Sequence, residues 1–306
     1  MYMQKFFILL LLTNISKIDL LGQVAGGELP GNADQNTLLW EISGNGLKQP
    51  SYFLGTMHIL CPEDAYLSAS VIKVIDRVKE IYFEIDLDNM AIMLMAMRYM
   101  AMRNDTLLSD LLPEDDYKEL EAYFSGKLPL PFGVLKRVKP MLLASMLSEQ
   151  MLPCKAGSGT EMLIVEEAEK RKIATKGLET PEYQFGLFDS IPYAYQAQEL
   201  LKAVREEEGG KQDTGTTAKM LAAYQRQDLD ELEKLTISEE AGLSGYLDLL
   251  VYNRNLNWVK QFDEIAPNGS FLFAVGAGHL PGDKGVLKLL ESKGYTIKPL
   301  LNQKPQ

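Results

Sequence analysis

The chain of 306 residues holds only two histidines, and both stand in the same setting. His58 closes the run Tyr52-Phe53-Leu54-Gly55-Thr56-Met57-His58, and His279 closes Leu272-Phe273-Ala274-Val275-Gly276-Ala277-Gly278-His279. Each is an aromatic and aliphatic run, a glycine, two residues and a histidine. A buried strand ending in glycine can turn tightly, so each imidazole is expected where a strand gives way to a loop and helix. Open α/β sheets bind their ligands at that place. A lone GxxH is weak, because a single histidine is more often a hydrogen-bonded structural residue. Two in matching contexts point to a shared site, and histidine is the commonest metal ligand. Acidic groups follow the first motif in Glu80-Ile81-Tyr82-Phe83-Glu84-Ile85-Asp86-Leu87, where a strand puts Glu84 and Asp86 on one face. If that strand neighbours the one leading to His58, either carboxylate can reach the imidazole. Near the C-terminus, Arg254 and Trp258 share a face of a helical pattern. By that pattern alone an exposed arginine is the simpler reading. There is no GxSxG, and the two motifs use every histidine, which argues against a serine or cysteine triad. HExxH is absent as well, which excludes a zincin of the usual kind.

The elements that must position these residues follow from periodicity. Residues 38–42 read as a first strand, Gly44-Asn45-Gly46 as a turn and 51–54 as its hairpin partner. An amphipathic helix over 68–79, with Val71, Val74, Ile75 and Val78 on one face, leads into the acidic strand. A mostly helical middle follows, over about 89–104, 106–112, 114–124, 132–151 and 160–171. A short strand at 173–177 ends at Leu178-Glu179-Thr180, and long helices run on to about 208. Met90, Met93, Met97 and Met100 form a stripe, better read as soft helix packing than as a copper site. A helix over 244–262, the second GxxH strand, a helix over 282–292 and a strand over 295–300 complete the chain. The fold class expected is α/β, a mixed sheet core with two quasi-symmetric GxxH halves and a helical middle section.

Composition bounds the function. Met1 to Lys5, the apolar run Phe6 to Leu12 and a small-residue exit describe a secretory signal peptide over residues 1–25, too short to span a bilayer. A flexible leader at 26–37 and a single domain over 38–306 should follow. No later stretch approaches the ~18 apolar residues of a transmembrane helix, so an exported protein, periplasmic or extracellular, is expected. A net charge of −11 leaves no basic stripe for nucleic acid. The two cysteines, Cys61 and Cys154, are expected to form a disulfide in an oxidising compartment; the competing reading makes Cys61 a third metal ligand.

The segments Leu39-Trp40-Glu41-Ile42-Ser43, Phe53 to Leu60, Phe83-Glu84, Gly177-Leu178-Glu179-Thr180, Arg254-Asn255 with Trp258, and Val275 to Leu280 together resemble the TraB/GumN family, which includes the Tiki metalloproteases. The resemblance implies a divalent metal site, manganese, cobalt or zinc, built on His58, Glu84 and His279. It further implies catalytic roles for Glu84, Arg254 and Asn255 and hydrolysis of a peptide or small-molecule substrate by a metal-activated water. Two departures stand out. The family's Glu-Arg-Asn triplet is Asn253-Arg254-Asn255 here, and an aspartate usual after the central glycine is Glu161. The alternative within the resemblance is a binding protein that sequesters a metal, haem or peptide without turnover.

Overall fold

The computed structural model describes residues 36–87, 89–127, 131–150, 154, 159–209, 215–238 and 244–305. The expected signal peptide and almost all of the leader lie outside them. Among the described residues six strands are present: β1 (Leu39–Gly44), β2 (Ser51–Thr56), β3 (Glu80–Phe83), β4 (Ala174–Gly177), β5 (Phe271–Gly276) and β6 (Tyr295–Pro299). They form one mixed sheet in the order β4-β3-β5-β2-β1-β6. The four strands β4, β3, β5 and β2 run parallel, while β1 is antiparallel to both β2 and β6. All six residues of β2 are buried, as a central strand covered on both faces requires.

The register levels the strand ends. Thr56 lies opposite Gly276, and Phe83 lies opposite both Ala274 and Gly177. Aromatic side chains hold that alignment. The rings of Phe53 and Phe273 stack at 4.9 Å and those of Phe273 and Tyr82 at 5.3 Å, one residue from each of β2, β5 and β3. Such cross-strand pairs each contribute on the order of 0.5–1.5 kcal/mol beyond burial. Phe262, from the helix α10 (Asn253–Ile265), packs on both phenylalanines.

Two expectations about the acidic strand need correction. It neighbours β5 and β4, not β2, because the C-terminal GxxH strand inserts between the first motif and its acidic successor. It also ends at Phe83, so Glu84 and Asp86 do not share a strand face. Glu84 enters the site, whereas Asp86 accepts from Thr175 Oγ1 at 3.3 Å.

Helices bridge the strands. α1 (Ala69–Ile75) is capped by Ser68, whose hydroxyl accepts from Val71 N, and buries Val71, Val74 and Ile75 on the sheet. The helical middle builds a core of its own, in which Leu108, Leu120, Phe124, Leu135, Leu143 and Leu200 are buried together. It contains α2 (Met90–Tyr99), α3 (Glu114–Phe124), α4 (Pro140–Gln150) and α7 (Tyr193–Glu208), with α5 (Thr160–Arg171) leading the chain back to the sheet at β4 and α6 (Pro181–Leu187) leading it away again. The long helix expected over 132–151 breaks after a short turn at Phe132–Leu135, because Pro140 can only begin a new helix. Met100 and Met102 pack into this helical core while Met97 is exposed; the side chains of Met90 and Met93 lie outside the described residues. Sequence periodicity passed over α8 (Thr216–Gln225) and α9 (Leu229–Ile237), the latter capped by Asp228. The chain closes with α11 (Val286–Ser292) and β6. No helix among the described residues is long and apolar enough to cross a membrane.

Candidate metal and catalytic centre

The carboxyl ends of four parallel strands each deliver one polar residue to the same edge of the sheet. His58 follows β2, Glu84 follows β3, Glu179 follows β4 and His279 follows β5. The GxxH glycines make this possible by close approach. A Cβ on Gly55 would lie 3.0 Å from Leu280 Cδ1 and 3.1 Å from Ala277 Cα, so the first motif is packed directly against the second. A Cβ on Gly276 would lie 3.1 Å from Glu84 Oε1, the oxygen to which Gly276 N donates at 2.8 Å.

Arg254 is the hub. It is 6% exposed, so the simple reading of an exposed arginine fails. Its Nε donates to both oxygens of Glu179 at 3.0 and 3.1 Å, and its second amino nitrogen donates to Glu179 Oε2 at 2.8 Å and Glu84 Oε2 at 2.5 Å. The remaining nitrogen meets Leu250 O and His279 Nε2, each at 3.1 Å. The guanidinium lies over the Trp258 ring at 4.7 Å, confirming the shared helix face, and Trp258 Nε1 donates to Glu179 Oε1 at 3.0 Å. Gln184, on α6, completes Glu84 with a donor at 2.7 Å from Oε2. A π-helical turn at Asp248–Tyr252 leads into α10, a local irregularity frequent at functional sites.

Asn255 fixes the state of His279. Its Nδ2 donates to the carbonyls of Lys284 at 2.9 Å and His279 at 3.3 Å, which turns Oδ1 toward His279 Nδ1 at 2.7 Å. An amide oxygen only accepts, so Nδ1 carries the proton and Nε2 presents its lone pair to the guanidinium. Burial, reinforced by Arg254 against the pull of Glu84, lowers the His279 pKa to about 3 and keeps the ring neutral. Burial alone would raise the Glu84 pKa, but Arg254, His279, His58 and the Gly276 N–H together hold it well below the usual carboxylate range. Burial raises Glu179, opposed by Arg254 and Trp258.

His58 stands apart from this cluster. Its Nδ1 pairs with Glu161 Oε1 at 2.6 Å, and its side chain is 66% exposed. The buried Glu161 carboxylate raises its pKa to about 9 against the opposing effect of burial. Glu161 is brought there by the start of α5, where Thr160 N donates to Met57 O at 3.2 Å. Apart from that ion pair, neither Glu161 oxygen makes a well-formed hydrogen bond among the described residues, and the buried Thr56 hydroxyl is in the same condition.

The structure therefore joins Glu84, Arg254, Asn255 and His279 in one network and sets His58 beside Glu161. Among the described residues no group of three or more histidine, cysteine, aspartate or glutamate side chains is already arranged to hold a metal ion. The donor chemistry nonetheless suits one. His279 offers a neutral Nε2 with its tautomer fixed from behind, the usual dress of a metal-ligating histidine. Glu84 offers an ionised carboxylate, and the buried Glu161 carboxylate and Thr56 hydroxyl lie on the His58 side. Imidazole and carboxylate together suit manganese, cobalt or zinc. Cys61 is not a donor, because it is bonded to Cys154. Three members were not singled out in sequence as functional: Glu179, Gln184 and Glu161. Glu179 carried the same signal as Glu84, an acid just past a short strand.

A model of the TraB/PrgY/gumN family matches residues 38–299. The chain is similar to Metalloprotease TIKI2 of Danio rerio, 26% identical over 327 residues, covering 89% of this chain and 62% of that protein. It is likewise similar to Metalloprotease TIKI1 of Homo sapiens, 26% identical over 334 residues, covering 88% and 63%. The chain thus spans less than two thirds of the length of these relatives. No solved structure matches it significantly.

Proposed function

The chain belongs to the TraB/PrgY/gumN family, and from that premise we propose that it is an exported metal-dependent hydrolase, a Tiki-like metallopeptidase acting on peptides through an activated water. The observation that carries the reading is the meeting of both GxxH strands and the acidic strand at one sheet edge around a buried arginine. His58, His279 and Glu84 would hold the ion, manganese, cobalt or zinc. Bound there, a divalent ion polarises the scissile carbonyl and brings the pKa of water toward neutrality. Asn255 keeps the His279 lone pair pointed into the site. Glu161 orients His58 through Nδ1, and Nε2 would become available for coordination once the ion displaces its proton. Arg254, anchored by Glu179, supplies a fixed positive charge where the carbonyl oxygen becomes negative. Gln184 holds Glu84 in place, and Glu84 is either ligand or general base. The disulfide and the signal-like N-terminus support export to the periplasm or beyond.

Metal analysis of protein purified without chelator, beside cleavage of a broad peptide library, tests the reading. One equivalent of metal is expected, lost in the His58→Ala/His279→Ala double variant, with cleavage abolished by chelator and restored by manganese, cobalt or zinc. Full metal occupancy in the double variant defeats the ligand assignment. Tight haem binding without cleavage by metallated protein replaces the hydrolase with a binding protein.

A further inference from the structure

We propose that Arg254 occupies the cation position of the centre in the metal-free chain, and that Glu179 is the positioning residue that retains it when a divalent ion takes Glu84 and His279. This inference rests on the metal-site reading above. A guanidinium is a pure donor, so its contact to His279 Nε2 at 3.1 Å uses the one lone pair of that nitrogen, and its contact to Glu84 Oε2 at 2.5 Å, beside that of Gln184, occupies the lone pairs of that oxygen. Arginine and metal compete for the same atoms.

The opposite side of the guanidinium is furnished independently. Glu179 takes a forked pair of hydrogen bonds from Nε and the second amino nitrogen, Leu250 O takes another, and the Trp258 ring lies at 4.7 Å. Glu179 is itself pinned by Trp258 Nε1, and its side chain is 1% exposed. Giving up Glu84 and His279 therefore leaves Arg254 with a carboxylate, a carbonyl and a ring, and strands no buried charge. Two carboxylates share one guanidinium, so the cluster retains negative charge that draws in a second cation. On this account Arg254 holds the two donors in their binding geometry before metal arrives, then stays close enough to act on substrate.

Calorimetric titration of zinc(II), and separately manganese(II), into the chelator-stripped full chain tests the exchange without reference to turnover. Arg254→Met is expected to bind metal roughly tenfold tighter than wild type, the loss of a competing charged hydrogen bond. Arg254→Lys is expected to shift the same way, because an ammonium keeps the charge but cannot span Glu179, Glu84 and His279 at once. Glu179→Gln should bind roughly tenfold weaker, since the guanidinium then has Glu84 as its only counter-charge. A merely structural role for these residues weakens binding in all three variants, so the opposite signs are diagnostic. If Arg254→Met does not fold, Arg254→Lys carries the comparison. Wild type that binds metal while the folded arginine variants match it overturns this inference alone. Metal bound by Arg254→Met but not by wild type supports it, and metal bound by neither overturns it together with the metal-site reading.

Discussion

Asn255 is fully buried, yet it decides which nitrogen of His279 is bare. Its own orientation is set by two carbonyls, and that constraint passes to Nδ1 of the ring. Replacing such an outer partner typically costs 10–100-fold in metal affinity. Asn255→Ala is therefore expected to weaken metal binding by about that factor while the fold survives, as read by calorimetry and circular dichroism. Unchanged affinity would detach Asn255 from the centre. At this scale much was legible in sequence: both histidines, Glu84 and Arg254 with Asn255 carried recognisable spacings. Glu179 carried a signal, an acid just past a short strand, that was not read as functional, and Gln184 carried none, because it matters through a contact with a residue 100 positions away. Glu161 appeared only as a departure from a family pattern, and its pairing with His58 is a product of how α5 docks.

Elements show where local reading fails. Hairpin β1–β2, the helix over 68–79 and the strand ahead of each histidine follow from local pattern, but the order of strands does not. Sequential neighbours are the default in a sheet, and here β5 displaces β2 from the side of β3. The result puts Glu84 against His279 rather than against His58. α5 is placed by a glycine: a Cβ on Gly159 would lie 2.3 Å from His58 O and 2.4 Å from Met57 O. Gly159→Ala must push the helix start away, so the Glu161–His58 pair should break, seen as a fall of the His58 pKa from about 9 toward its ordinary value in an NMR titration. A pKa that stays high would show that α5 can shift without losing the contact. The helical middle has its own buried polar knot. Asp189 accepts from Lys139 at 2.7 Å, Arg103 at 2.8 Å and Tyr193 at 2.5 Å, and the Lys139 side chain is only 2% exposed. Asp189→Asn leaves that ammonium without its counter-charge and should cost about 3–5 kcal/mol in denaturant unfolding. A loss under 1 kcal/mol contradicts this. Burial and then Asp189 raise the Tyr193 pKa to about 12, above its ordinary value of 10.0. The folded chain thus keeps a proton that the unfolded chain loses, so this contribution is complete below pH 10 and disappears as pH rises through about 12. Tyr193→Phe should flatten that part of the alkaline stability profile, and an unaltered profile would exclude the linkage.

Across the whole molecule, one covalent bond ties the sheet core to the helical middle. Cys61 and Cys154 are joined over 93 positions, as their even number, in a chain expected to be exported, suggested. Cys61 lies three residues past His58, and Cys154 lies shortly before the start of α5, the helix that presents Glu161. The segment carrying His58 is therefore held twice, by the disulfide and by the Thr160 N–Met57 O hydrogen bond. Closing a loop of this length removes chain entropy worth about 4.6 kcal/mol from the unfolded state on the loop-entropy model. The Cys61→Ser/Cys154→Ser pair should consequently unfold at lower denaturant, by up to that amount, with its metal affinity also reduced because His58 and Glu161 are less firmly placed. The cluster of Glu84, Arg254, Glu179 and His279 contains neither cysteine, so Arg254→Met should still raise affinity by the same factor on the serine-pair background, from its lower starting value. Chain made in an oxidising compartment and unfolded without reductant should show no free thiols. Two titratable thiols in that material, or a serine pair as stable as the parent, would remove the bond from its place in the site.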